Sequence, residues 1–181
     1  MIRPAGAFAA GAAVLAALGC GPDVESAPRS ATIEPDVSVV DLAGLESALQ
    51  AREGRGYLLN VWAIWCAPCV QELPELIDMA HEWRPRGGDV VGISYDLMVG
   101  ADDPQDVRDT VAHFIAEKGW DFDVLVLDEP DYDAINERFD LPGAIPVTLA
   151  IDAEGTIVDR QSGVAGKERF AEMMARALGA G

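Results

Sequence analysis

The stretch that most constrains this chain is Trp65-Cys66-Ala67-Pro68-Cys69, two thiols set two residues apart where an apolar run gives way to a helical pattern. The run before it, Tyr57 to Ala63, has little polar alternation, as expected of a central parallel strand covered on both faces. After it, Val70, Leu73, Ile77 and Ala80 recur at helical spacing. The cysteines therefore fall where a buried strand turns into a helix. The first turn of a helix offers unpaired N–H groups and the positive end of the dipole, and both favour a thiolate over a thiol. Cys66 is thus the expected reactive sulfur. A Cys-x-x-Cys pair beside a strand–helix unit reads as a redox motif before a structural one.

The chain has 181 residues, half of them hydrophobic, enough for one domain with a full core plus an extra segment. Its 31 acidic side chains against 13 Lys and Arg leave a net charge of −18, which argues against nucleic acid as a partner, since a phosphate backbone must be neutralised by cations. The acidity reads as a solvated surface. Three cysteines is an odd count for an exported protein. The N-terminus accounts for the third. Arg3 precedes a small-residue apolar stretch, Ala5 to Gly19, of signal-peptide length and short for a membrane span. It ends Leu15-Ala16-Ala17-Leu18-Gly19-Cys20, which resembles a bacterial lipoprotein signal, where cleavage before the cysteine leaves it to carry lipid. Ala17 is smaller than that pattern prefers, so a plain secreted protein with a free Cys20, or an uncleaved anchor, stays open. Residues 1–19 are accordingly expected as signal, 20–36 as a proline-bearing tether and 37–181 as the folded domain.

Within that domain a short strand is expected at 37–40, then a helix capped by Asp41 with Leu42, Leu45 and Leu49 on one face. Pro74 falls inside the helix after Cys66 and removes one backbone donor. A second buried strand follows at 89–94, a loop at 95–103, and a helix from the Asp103-Pro104 cap to Gly119. Strand 122–127, a helix through Tyr132, Ile135 and Phe139, strand 147–151, a turn at 152–155, strand 156–159 and a helix at 167–178 carrying Phe170, Met174 and Leu178 complete the chain. Strand–helix alternation ending in a hairpin and helix implies an α/β fold with a mixed sheet and helices on both faces.

Asn60-Val61-Trp62-Ala63-Ile64-Trp65-Cys66-Ala67-Pro68-Cys69, followed by Gly143-Ala144-Ile145-Pro146-Val147-Thr148 and Ile151-Asp152-Ala153-Glu154-Gly155, resembles the thioredoxin fold. It is most similar to membrane-anchored thiol-disulfide reductases of the TlpA/ResA type, over residues 37 to 178. The resemblance implies a cis Pro146 beside the cysteines and an Ile145 backbone that holds an extended substrate segment, with Trp65 at the substrate face. Cys66 would attack and Cys69 would resolve, the two-residue spacer making the second step intramolecular. Thioredoxin itself keeps an Asp where this chain has Asn60, which cannot titrate; in ResA-like proteins a Glu three residues past the second cysteine serves, and Glu72 matches it. A buried carboxyl there would have a raised pKa suited to proton exchange near neutrality, whereas an exposed one would be a dipole-friendly surface residue.

The resemblance implies reduction of extracytoplasmic protein disulfides, apocytochrome cysteines before haem attachment among the candidates, by a monomer fed by a membrane electron donor and needing no cofactor. An oxidase or isomerase would use the same residues, and members of the fold span about −270 to −120 mV. A metal-binding module is a separate class, but copper-delivery relatives use Cys-x-x-x-Cys with a later His, and His81 and His113 precede the Ile145-Pro146 loop. The expectation is no metal. A peroxidase would need Pro-x-x-x-Thr-x-x-Cys, which is absent. A binding module with a structural disulfide is the remaining alternative. Trp62, Trp83 and Trp120 are expected to pack.

Overall fold

The computed structural model describes residues 35–100 and 103–180. The leader, nearly all of the tether and Cys20 fall outside them. Strand β1 is Val37–Val40, and Asp41 then caps α1 (Leu42–Gln50) by accepting the Gly44 N–H at 2.7 Å. Strand β2 (Tyr57–Trp62) leads into α2 (Ala67–Trp83), and β3 (Asp89–Ser94) into a short turn at Asp96–Val99. Asp103 caps α3 (Pro104–Lys118), which Gly119 closes in the left-handed conformation, as a glycine does at little cost. Then come β4 (Asp123–Leu127), α4 (Tyr132–Phe139), β5 (Val147–Ile151), β6 (Ile157–Ser162) and α5 (Lys167–Ala177).

The six strands form one sheet in the order β1-β4-β3-β2-β5-β6. The first four lie parallel, while β5 runs antiparallel to β2 and β6 antiparallel to β5. This is the mixed α/β sheet expected. All six residues of β2 are buried, and since successive side chains point to opposite faces, the sheet is covered on both. Helices α2 and α5 pack against each other, and α1 and α3 against β1 and β4. The register sets Asn60 beside Gly92 on one side and Thr148 on the other, which decides the chemistry below.

Local reading and structure part in four places. The 95–103 segment holds a 3₁₀ turn at Asp96–Val99, where the Met98 N–H donates to the Tyr95 carbonyl at 3.0 Å and Asp96 accepts from Ile64 and Ser94. The buried face of α2 is wider than the expected stripe: Leu76 and Met79 are inside too, and Val70 sits at the margin, since α2 meets both the sheet and α5. Strand β6 extends to Ser162, which pairs with Val147. Finally, α5 ends at Ala177, leaving Leu178 as its cap, and Met173 joins Phe170 and Met174 in the core. Arg169 grips the Asp159 carboxylate with two hydrogen bonds of 2.7 and 2.8 Å, and Arg176 adds a third at 2.8 Å, locking α5 to β6. Among the described residues no helix is long and apolar enough to cross a membrane.

Close packing at the sheet centre gives the first prediction. A Cβ on Gly92 would lie 2.7 Å from Phe122 Cε2 and 2.8 Å from Trp62 Nε1, and both rings are buried. Gly92→Ala should therefore cost about 2 kcal/mol in urea unfolding, the usual size of overpacking in a filled core. An unchanged midpoint would mean the rings yield freely.

Candidate active site

Strand β2 ends in a tight turn, Ala63 to Cys66, closed by the Cys66 N–H donating to the Ala63 carbonyl at 3.1 Å. Cys66 is the N-cap of α2, with extended backbone at φ −88 and ψ 92, and its Sγ accepts the Cys69 N–H at 3.3 Å. An unpaired helix N–H thus points at the sulfur on which negative charge would develop. The two cysteines are joined as a disulfide, S–S 2.03 Å. Their surroundings differ: Cys69 is fully buried, whereas Cys66 keeps 5% exposure and lines an open cleft of about 520 Å³.

Trp65, 46% exposed, and Pro68 flank the sulfur in this cleft, with Met98 and Ile145 among the other lining residues. The Ile145–Pro146 peptide bond is cis, and the Ile145 carbonyl oxygen lies 3.9 Å from Cys66 Sγ. The distant Gly-Ala-Ile-Pro loop and the cysteine turn are therefore brought together.

Glu72 lies one helical turn past Cys69 on α2 and is 1% exposed. Its Oε1 accepts from Asn60 Nδ2 at 3.0 Å and its Oε2 from the Ala165 N–H at 3.1 Å. The second Asn60 N–H donates to Thr148 Oγ1 at 2.9 Å, while Asn60 Oδ1 is buried without a partner. Burial pushes the Glu72 pKa up to about 7, against the opposite pull of the Ala165 and Asn60 hydrogen bonds. The carboxyl is therefore buried, not a surface residue of the dipole.

Other candidates separate clearly. Trp62 packs within 6.1 to 6.4 Å of Phe122, Phe114 and Trp120, and Trp83 is half-buried against the core. His81 is bonded to Asp121 at 2.6 Å and His113 faces Glu117 on the surface of α3. Among the described residues no three His, Cys, Asp or Glu side chains converge as a metal would need. The roles of Thr148 and Ala165 carry no local signal, because the β5 register brings Thr148 to Asn60 and the β6–α5 loop brings Ala165 to Glu72. Asp96 gave no local signal either, because its backbone partner Ile64 lies 32 residues away.

The family described as AhpC/TSA matches residues 32–160. The chain belongs to the AhpC/TSA family. Its relatives fit the resemblance to thiol-disulfide oxidoreductases. ResA of Bacillus anthracis, a thiol-disulfide oxidoreductase, is 25% identical over 136 residues, 75% of this chain and 71% of that one. The thioredoxin-like protein YneN of Bacillus subtilis is 28% identical over 140 residues, 77% of this chain and 75% of YneN. Among solved structures, StoA from Bacillus subtilis superposes with a TM-score of 0.53 at 21% identity, covering 67% of this chain and 83% of StoA. A secreted thiol-disulfide isomerase from Corynebacterium glutamicum gives 0.56 at 24%, covering 71% and 74%. At these identities the superpositions establish the thioredoxin-like fold of this AhpC/TSA chain.

Proposed function

We propose that this protein is an extracytoplasmic thiol-disulfide oxidoreductase that reduces protein disulfides through Cys66 and Cys69. The observation that carries the reading is the asymmetric pair: one sulfur lines a cleft and caps a helix, the other is buried behind it. In the reduced protein the Cys66 thiolate, held by the Cys69 N–H, attacks one sulfur of the substrate disulfide. The substrate S–S bond breaks, a mixed disulfide forms, and the first substrate thiolate leaves and takes a proton. Cys69 then loses its proton to the Glu72 carboxylate and attacks Cys66 Sγ. The mixed disulfide breaks, the second substrate sulfur departs as a thiolate and takes a proton, and the Cys66–Cys69 disulfide remains. The enzyme gives up two electrons and the substrate gains them. Glu72 suits the proton step because its pKa of about 7 lets it take and return a proton at neutrality.

Ile145 and Pro146 would lay an extended substrate segment along the cleft, with Trp65 covering the sulfur. Cys20 would carry the lipid that holds the domain, as a monomer on a tether spanning residues 20–36, near a membrane electron donor. Haem-attachment cysteines of apocytochromes are a suitable client class. No cofactor is required, since the dithiol holds the electrons.

Trapping tests the scheme. Reduced full chain carrying Cys69→Ser should accumulate a mixed disulfide with a disulfide-bonded protein, mapped to Cys66, because attack proceeds and resolution does not. Failure to accumulate it, with the wild type active, would overturn the assignment. The direction of flow is read by equilibration with glutathione: a potential nearer the about −270 mV of thioredoxin than the about −120 mV of DsbA fits a reductase.

A further inference from the structure

Asp96 is a half-buried carboxylate that the exchange chemistry leaves unused. It opens the Asp96–Val99 turn after β3, and both its oxygens accept the Ile64 N–H, at 3.0 and 3.2 Å, while Oδ2 also takes the Ser94 hydroxyl at 2.6 Å. Ile64 is the second residue of the turn that Cys66 closes onto Ala63. Next to this grip, the Tyr95 N–H donates to the Trp62 carbonyl at 2.9 Å. The turn that Asp96 opens also carries Met98, which is 48% exposed and lines the same cleft as Trp65 and Cys66. One side chain therefore ties together two segments that wall the cleft.

We infer that Asp96 is a positioning residue for thiol exchange, clamping the Ala63–Cys66 turn so that Cys66 Sγ stays aimed at the Cys69 N–H and the Met98 segment stays against it. This rests on the reading of Cys66 as the nucleophile. The clamp acts on the backbone at Ile64, one of the two central N–H groups that such a turn leaves without an internal acceptor. Take the carboxylate away and that donor loses its partner in a half-buried site, so the turn relaxes toward whatever acceptor it can reach. Cys66, two residues on, moves with it. Near-attack geometry is sensitive to such displacement, because a nucleophile must hold both its stabilising donor and its line of approach. The clamp needs an acceptor oxygen in place more than a charge. An asparagine at this position keeps an oxygen for Ile64 and offers its amide to Ser94 Oγ.

The test uses the reduced full chain with iodoacetamide at pH 7, reading the Cys66 peptide alone by mass spectrometry so that Cys20 does not interfere. Asp96→Ala should slow Cys66 alkylation about tenfold, the size set by one unsatisfied donor, and lower kcat/KM for insulin reduction in parallel. Asp96→Asn should restore both to within about threefold. Alkylation of Asp96→Ala at the wild-type rate overturns the inference, as does an Asp96→Asn variant as slow as Asp96→Ala. Should Asp96→Ala fail to fold by urea titration, Asp96→Leu serves, since it fills the same space without an oxygen for the Ile64 N–H; an unchanged Cys66 rate there also overturns the clamp. If instead Cys66→Ser reduces insulin as well as wild type, it is the oxidoreductase reading that falls, and the alkylation comparison still reports on Asp96.

Discussion

Cys66→Ser is expected to bring insulin reduction by the purified full chain down to the uncatalysed rate, a loss on the order of 10³-fold or more. A serine hydroxyl does not ionise near neutrality, so the Cys69 N–H and the helix terminus have no anion to stabilise. Cys69 cannot substitute, because it is fully buried behind the turn and only Cys66 opens on the cleft. Precipitation of the insulin B chain with dithiothreitol as electron source measures this directly. Both proteins should be kept reduced in the urea control, since the wild-type disulfide closes a four-residue loop and by itself contributes about 2 kcal/mol. Equal activity in the two proteins would exclude Cys66-dependent catalysis and leave a binding module with a structural disulfide. Cys69→Ser is the informative contrast: it should also lose turnover, yet retain the first attack.

Elements with local signals were legible in the sequence. Asp41 and Asp103-Pro104 announce helix starts by side chains that satisfy N–H groups two or three residues away, and both cap as expected. The continuous apolar run of β2 announces burial on both faces. What stayed hidden depends on partners far along the chain. Glu72 could be marked by its offset from Cys69, but its environment comes from Asn60, 12 residues before it, from Ala165, 93 residues after it, and from Thr148, which Asn60 reaches 88 residues away. The Thr148 approach follows from β5 pairing antiparallel with β2 and the Ala165 approach from the loop between β6 and α5, neither of which any periodicity encodes. Asp96 looked like a loop residue because acidic side chains usually are exposed. Its half-buried place is intelligible only once β2 and β3 lie side by side and Ile64 needs an acceptor.

Glu72→Gln should move stability and activity in opposite directions. The folded protein holds this carboxyl at a pKa of about 7, against an ordinary value of 4.5. A raised pKa means the fold favours the protonated form, so the stabilisation linked to this proton is complete below pH 4.5 and is lost as the pH rises through about 7. The loss approaches about 3 kcal/mol by pH 8, at 1.36 kcal/mol for each pH unit between the two values. Glutamine, which does not ionise, escapes it. It also finds partners: its oxygen can take the Ala165 N–H, and if the Asn60 amide turns over, the now unpaired Oδ1 accepts both the glutamine N–H and the Thr148 hydroxyl. After allowing about 1 kcal/mol for imperfect exchange of hydrogen bonds, the variant should be about 2 kcal/mol more stable than wild type at pH 8 and less stable by up to about 1 kcal/mol at pH 4.5. Urea midpoints across that range measure this. A glutamine cannot take the Cys69 proton, so resolution of the mixed disulfide should slow about a hundredfold at pH 7. The pH dependence of Cys66 alkylation should change as well, since a charge that appears near pH 7 is gone. A variant with wild-type turnover and an unaltered alkylation profile would reduce Glu72 to a buried structural acid. A stabilised variant that no longer resolves its mixed disulfide would mark it as a proton carrier held in the core at the expense of the fold.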